Sequence, residues 1–152
     1  MIKKWEIYDS NEQKVKEICD KYNLNKIIGK IIVNRNVTSD EDVRIFITPT
    51  RDDFHDPFLF KGMDIAVDRI LQAINNKEKI LIYGDYDVDG ITSTTVLKKY
   101  LQERGGIVNT YIPNRLNEGY GLNKEAIKKI KEMGTDLIIT VDCGISGIEE
   151  VK

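Results

Sequence analysis

The sequence predicts an α/β protein, a parallel sheet flanked by helices and preceded by a small helical region. In the second half, short β-branched apolar runs alternate with segments of helical periodicity. The first part carries helical periodicity alone. Because strands that alternate with helices form right-handed crossovers, the sheet should be parallel. We divide the chain into a helical region with a connecting loop, residues 1–60, and an α/β domain, residues 61–152.

Composition narrows the class of protein. The 152 residues carry a formal net charge of −2, so no overall basic field favours a protein that coats nucleic acid. A nuclease that grips a strand locally stays possible. No apolar run approaches the roughly 20 residues of a membrane helix. The two cysteines lack metal-ligand spacing, which favours a reduced, cytoplasmic protein without disulfides.

Three short amphipathic helices are predicted before residue 48. Ser10 with Gln13, and Thr38 with Glu41, match the capping-box pattern at the starts of the first and third helices. The loop at 48–62 contains two prolines and three phenylalanines. We expect this loop to be ordered, with its phenylalanines buried.

The α/β domain should contain three strands and at least three helices. The expected order is a helix from Met63, strand 80–83, a helix from Ile91 to about Arg104, strand 107–112, a helix from near Asn123, and strand 137–141. We place the second strand on one side of the first and the third on the other. This order creates a switch point above the carboxyl end of the first strand, where ligands bind in such sheets.

Three aspartates occupy the turn between the first strand and its helix: Asp85, Asp87 and Asp89. Like charges about 4 Å apart repel by roughly 4 kcal/mol at an effective dielectric of 20, so a positive partner is needed. The helix N-terminus supplies part of it, and a divalent cation would supply the rest. Asp142 ends the third strand and should reach the same crevice. All-oxygen ligands favour Mg²⁺ or Mn²⁺.

Other motifs fit this stretch less well. An EF-hand loop needs Glu at its twelfth position, which is Val96 here, and a P-loop needs a lysine that does not follow until Lys98. An Asp-x-Asp pair after a strand also suits a haloacid-dehalogenase-like phosphatase, with Asp87 as nucleophile and Asp89 as acid. A non-catalytic module that binds metal or nucleotide is a further alternative. Both alternatives stay open from the residues alone.

The longer stretch from Tyr83 to Thr94 resembles the first motif of the DHH phosphoesterase superfamily, in the form found in its single-strand-specific exonucleases. Residues 112–122 and 140–146 resemble later motifs in the same order. The resemblance implies a partial DHH domain and a two-metal centre with Mn²⁺ or Mg²⁺. It also implies hydrolysis of single-stranded DNA from the 5′ end, in repair and recombination.

The same resemblance assigns roles to the aspartates. It implies that Asp87, Asp89 and Asp142 are catalytic metal ligands, with Asp85 supporting them at the metal. The Asp-His-His motif that names the superfamily is expected after Asp142, beyond residue 152. We therefore expect the sequence to be the front portion of a longer enzyme, with an incomplete metal site and no activity of its own.

A loop at 113–122 should leave the same edge of the sheet and contact the substrate. Arg115 offers a planar fork for phosphate oxygens, and Tyr120 a face on which a base can stack. The alternative is that Arg115 pairs with Glu118 and Tyr120 packs on the sheet edge.

Overall fold

The computed structural model describes residues 4, 6 and 8–152. The described residues up to Pro57 form one compact unit, and Phe58–Lys152 form a second. We describe the two units separately.

The first unit is helical. Its helices are α1 (Glu12–Tyr22), α2 (Lys26–Asn34) and α3 (Asp40–Ile47). Each helix contributes apolar side chains to a small core built on Ile18, Ile32 and Val43. The expected amphipathic helices are thus present, although three isoleucines of α2 stay exposed: Ile27, Ile28 and Ile31.

The caps of α1 and α3 lie one residue later than predicted. Asn11 caps α1 by accepting a hydrogen bond from Lys14 N, and Ser39 caps α3 by accepting from Asp42 N. The Ser10 hydroxyl is buried and has no hydrogen-bond partner in the described part of the chain. Cap-forming residues stand next to each other at both helix starts, so the sequence pattern could not separate them.

The connecting loop is ordered by two 3₁₀ turns, Arg51–Asp53 and Pro57–Leu59. The expected burial of its phenylalanines is wrong, because Phe54, Phe58 and Phe60 are 78%, 59% and 69% exposed. Apolar character alone therefore does not determine whether a side chain is buried.

The second unit has α/β architecture. Its elements are α4 (Met63–Asn75), β1 (Lys79–Gly84), α5 (Val88–Glu103), β2 (Ile107–Tyr111), α6 (Lys124–Glu132), β3 (Leu137–Val141) and α7 (Ile148–Val151). The three strands are parallel in the order β2-β1-β3, as predicted. Tyr83 pairs with Tyr111, and Gly84 with Val141, so the carboxyl ends of the strands meet at one edge.

β1 is the centre of the core because its side chains are buried on both faces. Ile80 and Ile82 face a cluster with residues of α4 and α5, including Leu101. Leu81 and Tyr83 face the other side, where α6 packs. Some apolar side chains of α5 and of the C-terminal end of α6 are not buried: Val96, Tyr100 and Met133 are exposed. The helices therefore cover the sheet with narrower apolar faces than their sequences indicate.

In the described residues, no helix combines the length and the apolar character needed to cross a membrane.

Candidate metal centre

The turn between β1 and α5 positions two of the predicted aspartates. Asp85 follows the last residue of β1 and is only 2% exposed. Asp87 is the N-cap of α5, and its Oδ1 accepts hydrogen bonds from Asp89 N at 3.0 Å and Gly90 N at 3.1 Å. Because Asp87 caps the helix, α5 begins at Val88, three residues before the predicted start at Ile91.

Two glycines allow the strand and the helix to approach closely here. A Cβ added at Gly90 would lie 2.5 Å from Asp85 N and 2.6 Å from Asp85 C, and closer still to the Asp85 carbonyl oxygen. A Cβ added at Gly84 would lie 2.9 Å from the carbonyl oxygen of Gly90 and would overlap the Thr94 hydroxyl. The first turn of α5 therefore packs directly on the backbone of Asp85.

Asp142 reaches the same place from β3. It follows Val141 and has a φ of 58°, in the left-handed region, which turns the chain sharply out of the strand. Aspartate and asparagine adopt this conformation more readily than most residues. The turn thus brings Asp142 to the carboxyl end of β1, beside Asp85 and Asp87.

Asp85, Asp87 and Asp142 form one cluster, with one carboxylate oxygen from each lying within 4.8 Å of the other two. The buried Asp85 Oδ1 has no hydrogen-bond partner among the residues that the structure describes. A buried, unpaired carboxylate oxygen is costly unless it is paired with a cation. Three convergent carboxylates are the donor set that a hard divalent ion takes, so the cluster fits Mg²⁺ or Mn²⁺.

Asp89 lies outside this group of three. Its side chain belongs to the first turn of α5 and lines an open groove together with Asp142, Val96 and Tyr100. The four predicted ligands are thus near one another, but the structure clusters Asp85, not Asp89, with Asp87 and Asp142.

The charges in the cluster act on one another. Desolvation raises the pKa of Asp142 above its usual range, and the neighbouring carboxylates of Asp87, Asp89 and Asp85 raise it further. Tyr120 has a raised pKa for the same reasons, desolvation first and then the charges of Asp85 and Asp142. The site is therefore a local concentration of negative charge that a cation would stabilise.

The loop after β2 lies beside this cluster. The Tyr120 hydroxyl donates a hydrogen bond to the backbone oxygen of Asp142 at 3.3 Å, while the residue is 64% exposed. The Arg115 guanidinium carbon lies 5.3 Å from the centre of the Tyr86 ring. No ion pair joins Arg115 to Glu118 in the described residues, so the alternative pairing is not formed; Glu118 accepts hydrogen bonds from the Tyr111 hydroxyl and from Asn114 N instead.

Sequence reasoning missed Tyr86. It lies between two of the predicted ligands, Asp85 and Asp87, yet its contact with Arg115 joins positions nearly thirty residues apart. No local periodicity marks such a contact. The only feature of the sequence that could have indicated a role for Tyr86 is its position as an aromatic residue inside an acidic turn.

Comparison with known proteins identifies the class first. Residues 79–152 match the DHH family, N-terminal domain. The single-stranded-DNA-specific exonuclease RecJ of Bacillus subtilis is 46% identical over 149 residues, which are 98% of this chain and 19% of that protein. RecJ of Thermus thermophilus is 39% identical over 92 residues, 60% of this chain and 14% of that protein.

A solved structure is also similar. It is a crystal structure of exonuclease RecJ bound to manganese, with a TM-score of 0.57 and 40% sequence identity to this chain. The match covers 60% of this chain and 23% of the chain in that crystal structure. The chain thus spans about a fifth of the length of the relatives that it matches. These comparisons favour the DHH interpretation over the haloacid-dehalogenase one.

Proposed function

We propose that Asp85, Asp87 and Asp142 hold a divalent cation, Mg²⁺ or Mn²⁺, and that Asp89 contributes to a second position in the adjoining groove. The observation that carries this proposal is the buried, unpaired Asp85 Oδ1 within 4.8 Å of two other carboxylates. The manganese in the related RecJ crystal structure supports a divalent ion of this kind. The residues of the cluster supply no nitrogen ligand, which is consistent with a hard cation.

The proposal extends to the whole protein to which this chain belongs. It is a metal-dependent phosphodiesterase that removes nucleotides from single-stranded DNA in the 5′-to-3′ direction. It acts in cytoplasmic DNA repair and recombination. The names and identities of the RecJ relatives support the single-stranded DNA specificity. A bound divalent ion supplies an activated water and offsets charge on the phosphate.

Each residue of the site then has a defined task. Asp85 and Asp87 fix the cation at the end of β1, while the two backbone N–H groups on Asp87 Oδ1 hold that carboxylate in one orientation. Asp142 completes the cluster from β3. Asp87, Asp89 and Asp142 are the catalytic aspartates of this scheme. The α/β unit thus forms the N-terminal part of the catalytic domain.

The substrate lies along the 113–122 loop in this proposal. Arg115 binds a phosphate near the scissile bond through the planar fork of its guanidinium. Tyr120 keeps its ring exposed while its hydroxyl is held by the backbone of Asp142, so a base can stack on the ring.

The metal assignment is tested by calorimetry of the 152-residue chain with Mn²⁺. Asp87→Asn keeps an oxygen that caps α5 and removes only the charge, so the fold should persist while Mn²⁺ binding is lost. Asp85→Asn should have the same effect. Asp68→Asn, an exposed residue of α4, is the matched control and should bind like the unchanged chain. Equal Mn²⁺ binding by the Asp85 and Asp87 variants would refute the assignment.

The reaction is tested with the whole protein and a single-stranded oligonucleotide labelled at either end. A 5′-to-3′ exonuclease releases a 5′ label at once as a mononucleotide and shortens the 3′-labelled strand progressively. Degradation should require Mn²⁺ or Mg²⁺ and disappear in the Asp87→Asn variant. Metal binding without degradation would favour the non-catalytic module instead.

A further inference from the structure

Arg115 contacts an aromatic ring of the acidic turn and forms no salt bridge in the described residues. No carboxylate lies within salt-bridge distance of it in the described residues, although Glu118 is three positions further along the chain and Asp85 and Asp87 flank Tyr86. Its guanidinium carbon instead lies 5.3 Å from the centre of the Tyr86 ring. A guanidinium at that distance from a tyrosine ring is attracted by the negative face of the ring.

A second set of contacts keeps the nearest acid of the loop away from Arg115. Glu118 is the only carboxylate between residues 113 and 122. Its Oε1 accepts a hydrogen bond from the Tyr111 hydroxyl, and its Oε2 accepts one from Asn114 N at 2.7 Å. These bonds lower the pKa of Glu118, led by the one from Asn114 N. Each oxygen of Glu118 thus accepts a hydrogen bond from a group other than Arg115, and the two residues form no salt bridge in the described part of the chain.

An arginine in contact with an aromatic ring and an arginine in a salt bridge differ in which N–H donors remain available. In a salt bridge with Glu118, Arg115 would use its N–H groups on the carboxylate. Contact with the Tyr86 ring engages no carboxylate and leaves N–H donors of the guanidinium available for other acceptors. A phosphate can then take two of those donors in the bidentate arrangement that arginine favours.

The location of Tyr86 links this cation to the metal cluster. Tyr86 stands between Asp85 and Asp87, so the turn that presents the carboxylates also presents the ring. We infer that Tyr86 is a positioning residue: its ring holds the Arg115 guanidinium, with its donors free, where it binds a phosphate of the single strand. This inference rests on the proposed phosphate contact of Arg115.

The test measures binding of a 3′-fluorescein-labelled oligothymidylate to the whole protein by anisotropy, in EDTA so that no cleavage occurs. Tyr86→Leu removes the ring and should weaken binding about two- to fivefold, the range expected for an exposed cation–π contact. Tyr86→Phe keeps the ring and should restore the affinity of the unchanged protein. Arg115→Gln should weaken binding and reduce the salt dependence by about one phosphate contact.

The double variant decides how Tyr86 acts. If Tyr86 works through Arg115, adding Tyr86→Leu to Arg115→Gln should cause no further loss of affinity. An equal further loss would show that Tyr86 contacts DNA directly and would overturn the inference. So would a loss of Mn²⁺ affinity in Tyr86→Leu, because the ring would then act on the aspartate turn.

The outcomes also distinguish the role of Tyr86 from the proposed phosphate contact of Arg115. Weaker binding by Arg115→Gln with unchanged binding by Tyr86→Leu would refute the role of Tyr86 alone. Unchanged binding by Arg115→Gln would refute the phosphate contact itself, and with it the role of Tyr86. Neither result bears on the metal assignment, which is measured by calorimetry.

Discussion

Replacing Gly90 by alanine tests how the metal cluster is built. Gly90 lies in the first turn of α5, where its missing side chain allows the helix to pack on the backbone of Asp85. An alanine Cβ would lie 2.5 Å from Asp85 N and 2.6 Å from Asp85 C. These are backbone atoms at the end of the central strand, so they cannot rotate away as a side chain could. Either α5 or the Asp85 turn must move.

Two effects of opposite sign compete in this variant. Alanine is favoured over glycine within a helix by about 0.5–1 kcal/mol, which would stabilise α5. Overpacking a tightly packed site costs about 1–3 kcal/mol, and contact with fixed backbone places this case towards the upper end. We therefore expect Gly90→Ala to lower the free energy of unfolding by roughly 1–2 kcal/mol, against the helix propensity. Displacement of the turn should also weaken Mn²⁺ binding.

The assay combines urea denaturation with Mn²⁺ calorimetry of the same chain. Gly29→Ala is the matched control, because a Cβ at Gly29 in α2 would also meet a neighbour closely, the Cys19 sulfur. That clash lies in the helical unit, to which none of the clustered carboxylates belongs. Gly29→Ala should therefore lower stability without changing Mn²⁺ affinity.

A Gly90→Ala chain as stable as the original, with the same Mn²⁺ affinity, would refute this reasoning. It would mean that α5 can move away from Asp85 at no cost. The close approach would then not be what positions the cluster.

Three further predictions concern charge, capping and chemistry. Because the pKa of Asp142 is raised in the folded state, this carboxylate destabilises the metal-free chain near neutral pH, and the destabilisation is relieved as pH falls through that pKa. In urea denaturation at several pH values, Asp142→Asn should therefore show a flatter pH dependence of the unfolding free energy. An unchanged pH dependence would contradict this prediction. Asn11→Ala should lower the unfolding free energy by about 1 kcal/mol, because it removes the cap of α1, whereas Ser10→Ala should change it very little. The reverse order of the two effects would show that Ser10 is the cap, as the sequence predicts. When the whole protein is quenched in acid during turnover of a substrate labelled with ³²P at the reacting phosphate, no label should remain on the protein, since a labelled Asp87 would indicate a covalent phosphatase mechanism.

The arrangement of the sheet could be predicted because it depends on periodicity and handedness. Runs such as Ile80 to Tyr83 are too short for helices and are bounded by breakers, and the intervening segments have helical spacing. Right-handed crossovers then leave few possible strand orders. The convergence of Asp87 and Asp142 follows from that order, because the carboxyl ends of parallel strands lie at one edge.

Contacts between side chains far apart in the sequence could not be predicted in the same way. The pairing of Glu118 with Tyr111 depends on where the 113–122 loop folds back on β2, and no spacing rule fixes that. Glu118 and Arg115 are close in sequence and opposite in charge, which left a salt bridge between them as the alternative to a phosphate contact. In the structure, the glutamate accepts hydrogen bonds from a tyrosine hydroxyl and a backbone N–H, and the Arg115 guanidinium carbon lies 5.3 Å from the centre of the Tyr86 ring.

The regular spacing of the acidic turn conceals a difference among its three aspartates. Asp85 directly follows the strand and is buried, and Asp87 is still extended, with φ −86° and ψ −176°, while its side chain caps α5. Asp89 is already helical, so its side chain projects at the helical angle into the groove beside Asp142. Because only Asp85 is both buried and unpaired, its charge depends most on a cation. Mn²⁺ affinity of the chain should therefore fall further in Asp85→Asn than in Asp89→Asn, and the opposite order would place the cation in the groove.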